Sequence, residues 1–228
     1  MKIDYKWTVA KEGYLPIFIS IFSTWLATAF LGLSIFSLLI FIILLLIIYF
    51  FRDPERFTPS AQGIICPADG KIITIDNSIE NEFTKSEMTR ACIFLSFFDC
   101  HINRSPDKVK VIETRFYPGA FFFANSARSI ENERLYIHLR NENDEDIVMI
   151  LYAGFVARRI VPYIKAGDSL EKAQRIGIIK FGSRVDIYVP KKYSSDFKDG
   201  DDVVASETLL FKVNEKEKNY LNNTQFLN

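Results

Sequence analysis

Ile164-Lys165-Ala166-Gly167-Asp168-Ser169-Leu170 is echoed 33 residues later by Phe197-Lys198-Asp199-Gly200-Asp201-Asp202-Val203. Each stretch holds a Gly-Asp pair, which favours a tight turn because glycine accepts positive φ and aspartate bonds its own backbone. Each turn leads through a short mixed stretch into an apolar strand, expected over 176–181 and 208–213. Two such units point to a β-rich sandwich or barrel; a coincidence of ordinary turns is the alternative. The neighbouring sequence agrees with the first reading. A strand is expected over 71–75, after the turn Pro67-Ala68-Asp69-Gly70, and the nearly unbroken apolar run 91–98 reads as a buried strand. Residues 135–140 and 147–152 flank the polar tract 141–146 as the arms of a hairpin, and 126–134 is the best candidate for a short helix.

Upstream, residues 14–51 contain no charged side chain. That run exceeds the apolar region of a signal peptide and the roughly 20 residues that one membrane crossing needs. Two short helices are expected, divided somewhere in 24–32, where Thr24, Thr28 and Gly32, with Ser34 just beyond, dilute the apolar residues. Trp7, Tyr14, Trp25 and Tyr49 suit interfacial anchoring. Lys2, Lys6 and Lys11 precede the run and Arg52 and Arg56 follow it, so the positive-inside rule favours a hairpin with both ends in the cytoplasm. A single tilted span and a hairpin in one leaflet are the alternatives. The chain then divides into an attachment segment, 1–56, a β domain, 57–213, and a polar tail, 214–228.

With 28 basic and 28 acidic side chains, no net field draws the chain to nucleic acid. Cys66, Cys92 and Cys100 are odd in number and sit in or beside apolar runs, which suits core cysteines in a reducing compartment. Cys100 adjoins His101, but no paired spacing makes a zinc site, and no nucleotide fingerprint occurs. Phe181-Gly182-Ser183-Arg184-Val185-Asp186 lies between two strands. Gly-Ser is a common turn pair, and 180–184 lacks the second glycine of a hydrolase elbow. A nucleophilic serine also needs a base, and the chain has only His101 and His138 to offer. His138, in an alternating run, reads as a solvent-facing strand residue.

Phe51-Arg52-Asp53-Pro54-Glu55-Arg56, Pro67-Ala68-Asp69-Gly70, His101-Ile102-Asn103-Arg104-Ser105-Pro106 and Tyr117-Pro118-Gly119 occur in that order. Asn132-Glu133-Arg134, Ala153-Gly154 with Ala157-Arg158-Arg159-Ile160, and Phe181-Gly182-Ser183-Arg184-Val185-Asp186 follow. Together, over about 48–190, they resemble the short, pyruvoyl-dependent form of the phosphatidylserine decarboxylases. The resemblance implies a membrane-bound proenzyme that cuts itself between Gly182 and Ser183. Ser183 attacks the preceding carbonyl, β-elimination splits the ester, and the dehydroalanine left behind hydrolyses to a covalent pyruvoyl group. That group takes the substrate amine as a Schiff base while carbon dioxide leaves, with no added metal or nucleotide. Residues 57–213 become the catalytic domain, and the chains 1–182 and 183–228 stay associated, with a homodimer of the pair as a further level of assembly.

The resemblance also assigns acid–base roles to Asp69 and His101. Longer members carry a second histidine three residues after the first, where this chain has Arg104, and Leu135 stands where a second asparagine often ends the Asn-Glu-Arg motif. Arg158 and Arg159 are candidates for the lipid phosphate, since guanidinium matches its oxygens in a fork. The Gly-Asp units are similar to the half-barrel repeats of biotinyl and lipoyl domains, so a membrane-tethered carrier without enzymatic activity is the rival reading. Such carriers present a modifiable lysine at a hairpin tip, and Gly182-Ser183-Arg184 has none.

Overall fold

Gly32 and Ser34 decide where the apolar run divides. A computed structural model of the chain describes residues 8–120, 122, 127–154, 159–180 and 183–214. Helix α1 (Tyr14–Leu31) runs straight through Thr24 and Thr28, whose hydroxyls donate to the carbonyls of Ser20 and Thr24 one turn back, at 2.7 and 2.9 Å. Satisfied in this way, they do not break the helix. The break comes at Gly32, with φ 62°, and Ser34 caps α2 (Ile35–Phe50) in a reciprocal box with Ser37. The division therefore lies at the end of the expected window. The stretch Lys11–Leu31 is long and apolar enough to cross a membrane, whereas Ile35–Phe50 is shorter. Two short strands, β1 (Thr8–Val9) and β2 (Arg52–Asp53), pair antiparallel and close the open end of the hairpin. These elements form one compact unit, residues 1–55, together with the loop 97–100.

The second unit, residues 56–96 and 101–228, is built of strands. They are β3 (Ile64–Ile65), β4 (Gly70–Glu80), β5 (Ser86–Leu95), β6 (Ile102–Arg104), β7 (Val109–Tyr117), β8 (Arg134–Asn141) and β9 (Asp146–Tyr152). Then follow β10 (Ile160–Pro162), β11 (Ser169–Leu170), β12 (Arg175–Ile179), β13 (Ser183–Val189), β14 (Tyr193–Ser194), β15 (Asp202–Val203) and β16 (Leu209–Val213). The eight-stranded sheet has the order β11-β7-β8-β9-β13-β5-β4-β15, and two three-stranded sheets have the orders β10-β12-β6 and β14-β16-β3. The fold is mainly β, as the turn-and-strand pattern predicts. The strand expected over 91–98 starts earlier, at Ser86, and ends at Leu95. The short helix expected over 126–134 is a 3-10 turn, Ala127–Glu131, because Arg134 already belongs to β8; Ser126 lies outside the described residues.

The topology is palindromic. One half, β6 to β12, is continuous in sequence, and the other is assembled from β3–β5 and β13–β16 on either side of it. The two Gly-Asp turns hold equivalent places. Gly167 N–H donates to Val111 O and Val111 N–H to Asp168 O, both at 2.8 Å; Gly200 N–H and Ile72 make the same exchange with Ile72 O and Asp201 O at 2.8 and 2.9 Å. Gly167 and Gly200 have φ of 93° and 91°, and Ala173 and Ser206, six residues further on, share φ values of 68° and 67°. Even the bulges correspond, between Ile72 and Thr74 in one half and Val111 and Glu113 in the other. The echo in the sequence is thus a structural repeat.

Between the sheets lies one apolar core that takes alternate residues from each strand, as a pleated sheet with one packed face requires. Leu135, Ile137 and Leu139 enter it from β8, and Val185, Ile187 and Val189 from β13. Arg184, Asp186 and Tyr188 take the opposite face, where Met88, Val148, Ile150, Tyr152 and Tyr188 form a smaller cluster with Phe83 against it. His138 also faces that side. It is not open to solvent as its alternation suggests: its ring stacks on Phe83 at 5.0 Å and its Nε2 lies 2.9 Å from Asp146 Oδ1.

Candidate active site

Gly70 is where the acidic candidate is placed. Its φ is 144°, and a Cβ there would meet Phe94 O at 2.0 Å, so β4 can begin against β5 only with glycine at this position. The preceding residue, Asp69, is consequently fixed at the lip of the sheet and buried. Its Oδ1 accepts from the Ala205 N–H at 2.8 Å and its Oδ2 from the Arg56 guanidinium at 2.5 Å. Arg56 also approaches Glu207 at 3.9 Å, so one cation serves two carboxylates.

Ser183 opens β13, the strand between β9 and β5, and stands opposite Leu95. On the other side of β5, Lys71 stands opposite Phe94, which sets Gly70 level with Leu95. Gly70 and Ser183 therefore flank the same residue, two strand spacings or about 10 Å apart. Ser183 is fully buried on the core side, and its Oγ has no hydrogen-bond partner among the described residues. An unpartnered buried hydroxyl is costly, roughly 1–3 kcal/mol, and calls for an explanation. Gly182 and Phe181 lie outside the described residues.

His101 is fully buried at the start of the β6 edge. Its carbonyl accepts from Ile179 N–H and from Asn103 Nδ2, each at 3.2 Å, which fixes it beside the end of β12, four residues before Ser183. Asn103 Oδ1 is a second buried polar atom without a partner among the described residues. Arg104 donates from its backbone to Pro67 O at 2.9 Å and from its guanidinium to Ala173 O at 3.3 Å. A guanidinium stays protonated in proteins, so Arg104 cannot take the place of a second histidine as a base.

The motifs that lie apart in sequence meet here. Arg56 joins Asp69, Pro67 joins Arg104, and Asn132 Nδ2 reaches Ala153 O at 2.8 Å while Ala153 N–H donates to Glu133 O at 2.9 Å. Arg159 is exposed, and its carbonyl accepts from Lys180 N–H at 3.2 Å, just ahead of the Gly-Ser pair; Arg158 lies outside the described residues. In the sequence, Arg56 is a positive charge flanking the apolar run and the last residue of a motif, with no role of its own. Its place in the Arg-Asp-Pro-Glu-Arg cluster was the available signal, but nothing in the spacing ties it to a residue 13 positions on. Ala205 could have been found only from the second Gly-Asp unit, whose turn brings it back to Asp69.

On the far side of the sheet, Arg184 forks onto Asp186 with two contacts of 2.6 and 2.7 Å and reaches Cys92 Sγ at 3.3 Å. Burial opposes the charge of Arg184, but the Asp186 carboxylate outweighs it and holds the guanidinium firmly protonated. Burial, followed by the Asp186 charge, pushes the Cys92 thiol up to about 12, and burial does the same to Cys66. Both are unreactive core thiols near neutral pH.

A buried hydroxyl at the start of a central strand, with an imidazole and an arginine-held carboxylate supplied by nearby strand ends, suits an enzyme of nucleophilic and acid–base chemistry. Comparison with known proteins narrows the class. The phosphatidylserine decarboxylase family profile matches residues 43–211. The chain is 39% identical over 207 residues to a protein of Desulfotalea psychrophila, covering 90% of this chain and 96% of that one. It is 37% identical over 204 residues to one of Geotalea uraniireducens, covering 89% and 95%, and 34% identical over 204 residues to one of Nitrosomonas eutropha, covering 89% and 94%. All three bear the name phosphatidylserine decarboxylase proenzyme. The chain belongs to the phosphatidylserine decarboxylase family.

Proposed function

We propose that the chain is a proenzyme that cuts itself between Gly182 and Ser183 and then, as a lyase, converts phosphatidylserine to phosphatidylethanolamine and carbon dioxide. The observation that carries this reading is the Ser183 hydroxyl, buried at the first residue of a central strand without a partner among the described residues. Its oxygen adds to the Gly182 carbonyl and the Ser183 nitrogen leaves it, so an ester replaces the amide. Loss of the Ser183 α-proton then expels the Gly182 carboxylate. The dehydroalanine left on the small chain takes up water and releases ammonia, leaving a pyruvoyl group.

The residues present fit that group. Its precursor side chain is buried, with no hydrogen-bond partner among the described residues, and a glycine precedes it. Once made, the group supplies a covalently held electron sink for the bond to the departing carboxylate. His101 takes the hydroxyl proton of Ser183, since imidazole is the side chain best able to do so near neutral pH. Asp69, held by Arg56 and the Ala205 N–H, provides a fixed negative charge at the sheet lip. Arg159 and Arg158 hold the lipid phosphate.

Residues 1–56 attach the enzyme to the membrane, 57–213 form the catalytic domain on the cytoplasmic side, and 214–228 are a polar tail. The 16 residues of α2 rise only about 24 Å, short of the roughly 30 Å hydrocarbon core, which favours a returning hairpin over a stretched crossing. The palindromic sheet supports two half-barrels of the biotinyl-lipoyl kind. The fragments stay together because β13 pairs with β5 and β9, β15 with β4, and β16 with β3.

Intact-mass analysis of the purified protein beside Ser183→Ala tests the reading. Two fragments are expected from the parent, the small one starting at residue 183, lighter than its encoded mass and reactive towards hydrazine. Ser183→Ala is expected to give one full-length chain without decarboxylase activity. A single intact chain from both proteins would remove the proposal.

A further inference from the structure

The chain between β5 and β6 leaves the β domain and joins the helical unit, since 97–100 belongs with residues 1–55. Its contacts there are specific. Phe97 lies against Phe50 of the last turn of α2, with ring centroids 5.6 Å apart, and Phe98 stands edge-on to Phe97 at 5.5 Å. Phe50 is fully covered, whereas Phe98 is 64% exposed. The Arg52 guanidinium lies 3.9 Å above the Tyr49 ring, donates to Tyr49 O at 2.9 Å, and donates to Phe98 O at 2.8 Å. Cys100 Sγ donates to Arg52 O at 3.4 Å. One cation thus ties the exposed phenylalanine to the end of the apolar helix.

An aromatic cluster edged by an arginine is the side-chain set that settles at the boundary of headgroups and acyl chains: the rings take the apolar side and the guanidinium reaches phosphate. Here the cluster packs directly on Phe50, in the last turn of α2. We infer that the Phe97–Phe98 loop is a second lipid-contacting element, seated in the headgroup boundary beside the end of α2, and that its partner is the phospholipid surface itself. The inference rests on reading α1 and α2 as the membrane attachment, and it adds a consequence for the substrate. Two residues, Asp99 and Cys100, separate Phe98 from His101, so covalent reach alone keeps their Cα atoms within about 11 Å. A lipid resting against the loop therefore lies next, along the chain, to the segment that carries His101.

The test places a single indole on the loop, as Phe98→Trp in a background carrying Trp7→Phe and Trp25→Phe. The protein is mixed with vesicles of phosphatidylglycerol and phosphatidylcholine, the latter brominated at a shallow acyl position. The expected result is co-flotation with the vesicles, a blue-shifted emission and quenching by the bromine. Alongside it, Phe98→Asp is expected to process itself fully and to act normally on short-chain, monomeric phosphatidylserine. Its KM for vesicle-borne substrate should rise about tenfold or more, the scale set by exposing one buried phenylalanine. Flotation with an unquenched, red-emitting indole, or an unchanged KM on vesicles, would overturn the loop's role while leaving the hairpin intact. Failure to float at all would overturn both readings together.

Discussion

The two halves of the β domain are wired alike and joined differently. In the continuous half, β8 passes to β9 through a tight turn at Asn141–Asp146, where Asn141 Oδ1 accepts from the N–H groups of Asn143 and Glu145, each at 3.0 Å. In the interrupted half the corresponding step, from β5 to β13, contains the whole of the other half, and Ser183 is the first residue after the return. A break in a tight turn would release two strands that depend on it for their register. A break before Ser183 releases nothing, because β13 is already paired on both edges. The insertion supplies a place where the backbone can be cut without dismantling the sheet. In the proposed reaction, that cut is also the step that creates the residue the chemistry needs.

Four experiments break or sharpen that contrast. Largest in effect is Arg56→Gln, which strips the cation from a carboxylate that the turn carrying Ala205 also holds. Hydrogen bonds to charged groups contribute about 1.5–3 kcal/mol, so self-cleavage should slow by roughly ten- to a hundredfold. Arg56→Lys should recover part of that rate, as read by the fraction processed against time; equal rates for all three proteins would remove Arg56 from the site.

Next comes concentration. Once cut, the interrupted half holds two chains, so the urea midpoint of the processed enzyme should rise with protein concentration more steeply than that of Ser183→Ala. Parallel slopes would mean that the junction is not the point of separation.

Glu145 gives a smaller, pH-dependent effect. It sits in the tight turn yet binds Lys192 and, at 2.7 Å, the Tyr193 hydroxyl, both beyond the proposed cut. Burial works to raise its pKa, but the Lys192, Tyr193 and Asn141 hydrogen bonds prevail and hold it below the ordinary 4.5. A depressed carboxylate contributes stability that is present above its unfolded value and lost as pH falls through the folded one. Glu145→Gln should therefore weaken retention of the small fragment at neutral pH, and the difference from the parent should vanish in acid below that range. A constant difference from pH 7 to pH 3 would contradict it.

Smallest are Gly167→Ala and Gly200→Ala. A Cβ finds open space at both, so only the positive φ is penalised, about 1–2 kcal/mol each. Equal shifts in thermal midpoint of the uncut Ser183→Ala chain would support the equivalence of the turns, and unequal ones would undo it.

Much of this plan is legible in the chain. The Gly-Asp echo reports the repeat because its turns need the same φ and the same Asx bond, and both demands fall on residue identity. Alternation gives β8 its core face, and the ordered motifs give Asp69, His101 and Ser183. What stays hidden depends on tertiary closure. No local pattern says that 91–98 leaves the sheet at Leu95, since Phe97 and Phe98 are as apolar as a buried strand requires and differ only in where they go. His138 alternates outward correctly, yet Phe83 from a distant hairpin covers it. Arg56 and Ala205 meet Asp69 only when both ends of the interrupted half are in place.

That last dependence bears on how the protein is made. Ala205, which helps to hold Asp69, lies beyond the bond that Asp69 is proposed to help break. While the ribosome is still extending the chain, Ala205 is missing, and Asp69 lacks one of the two donors that hold it. If Asp69 acts as proposed, maturation therefore waits until the strands after Ser183 have been made. On the proposed mechanism, a product truncated before Ala205 stays uncut and inert, so the order of strands along the chain acts as a check on copies that lack them.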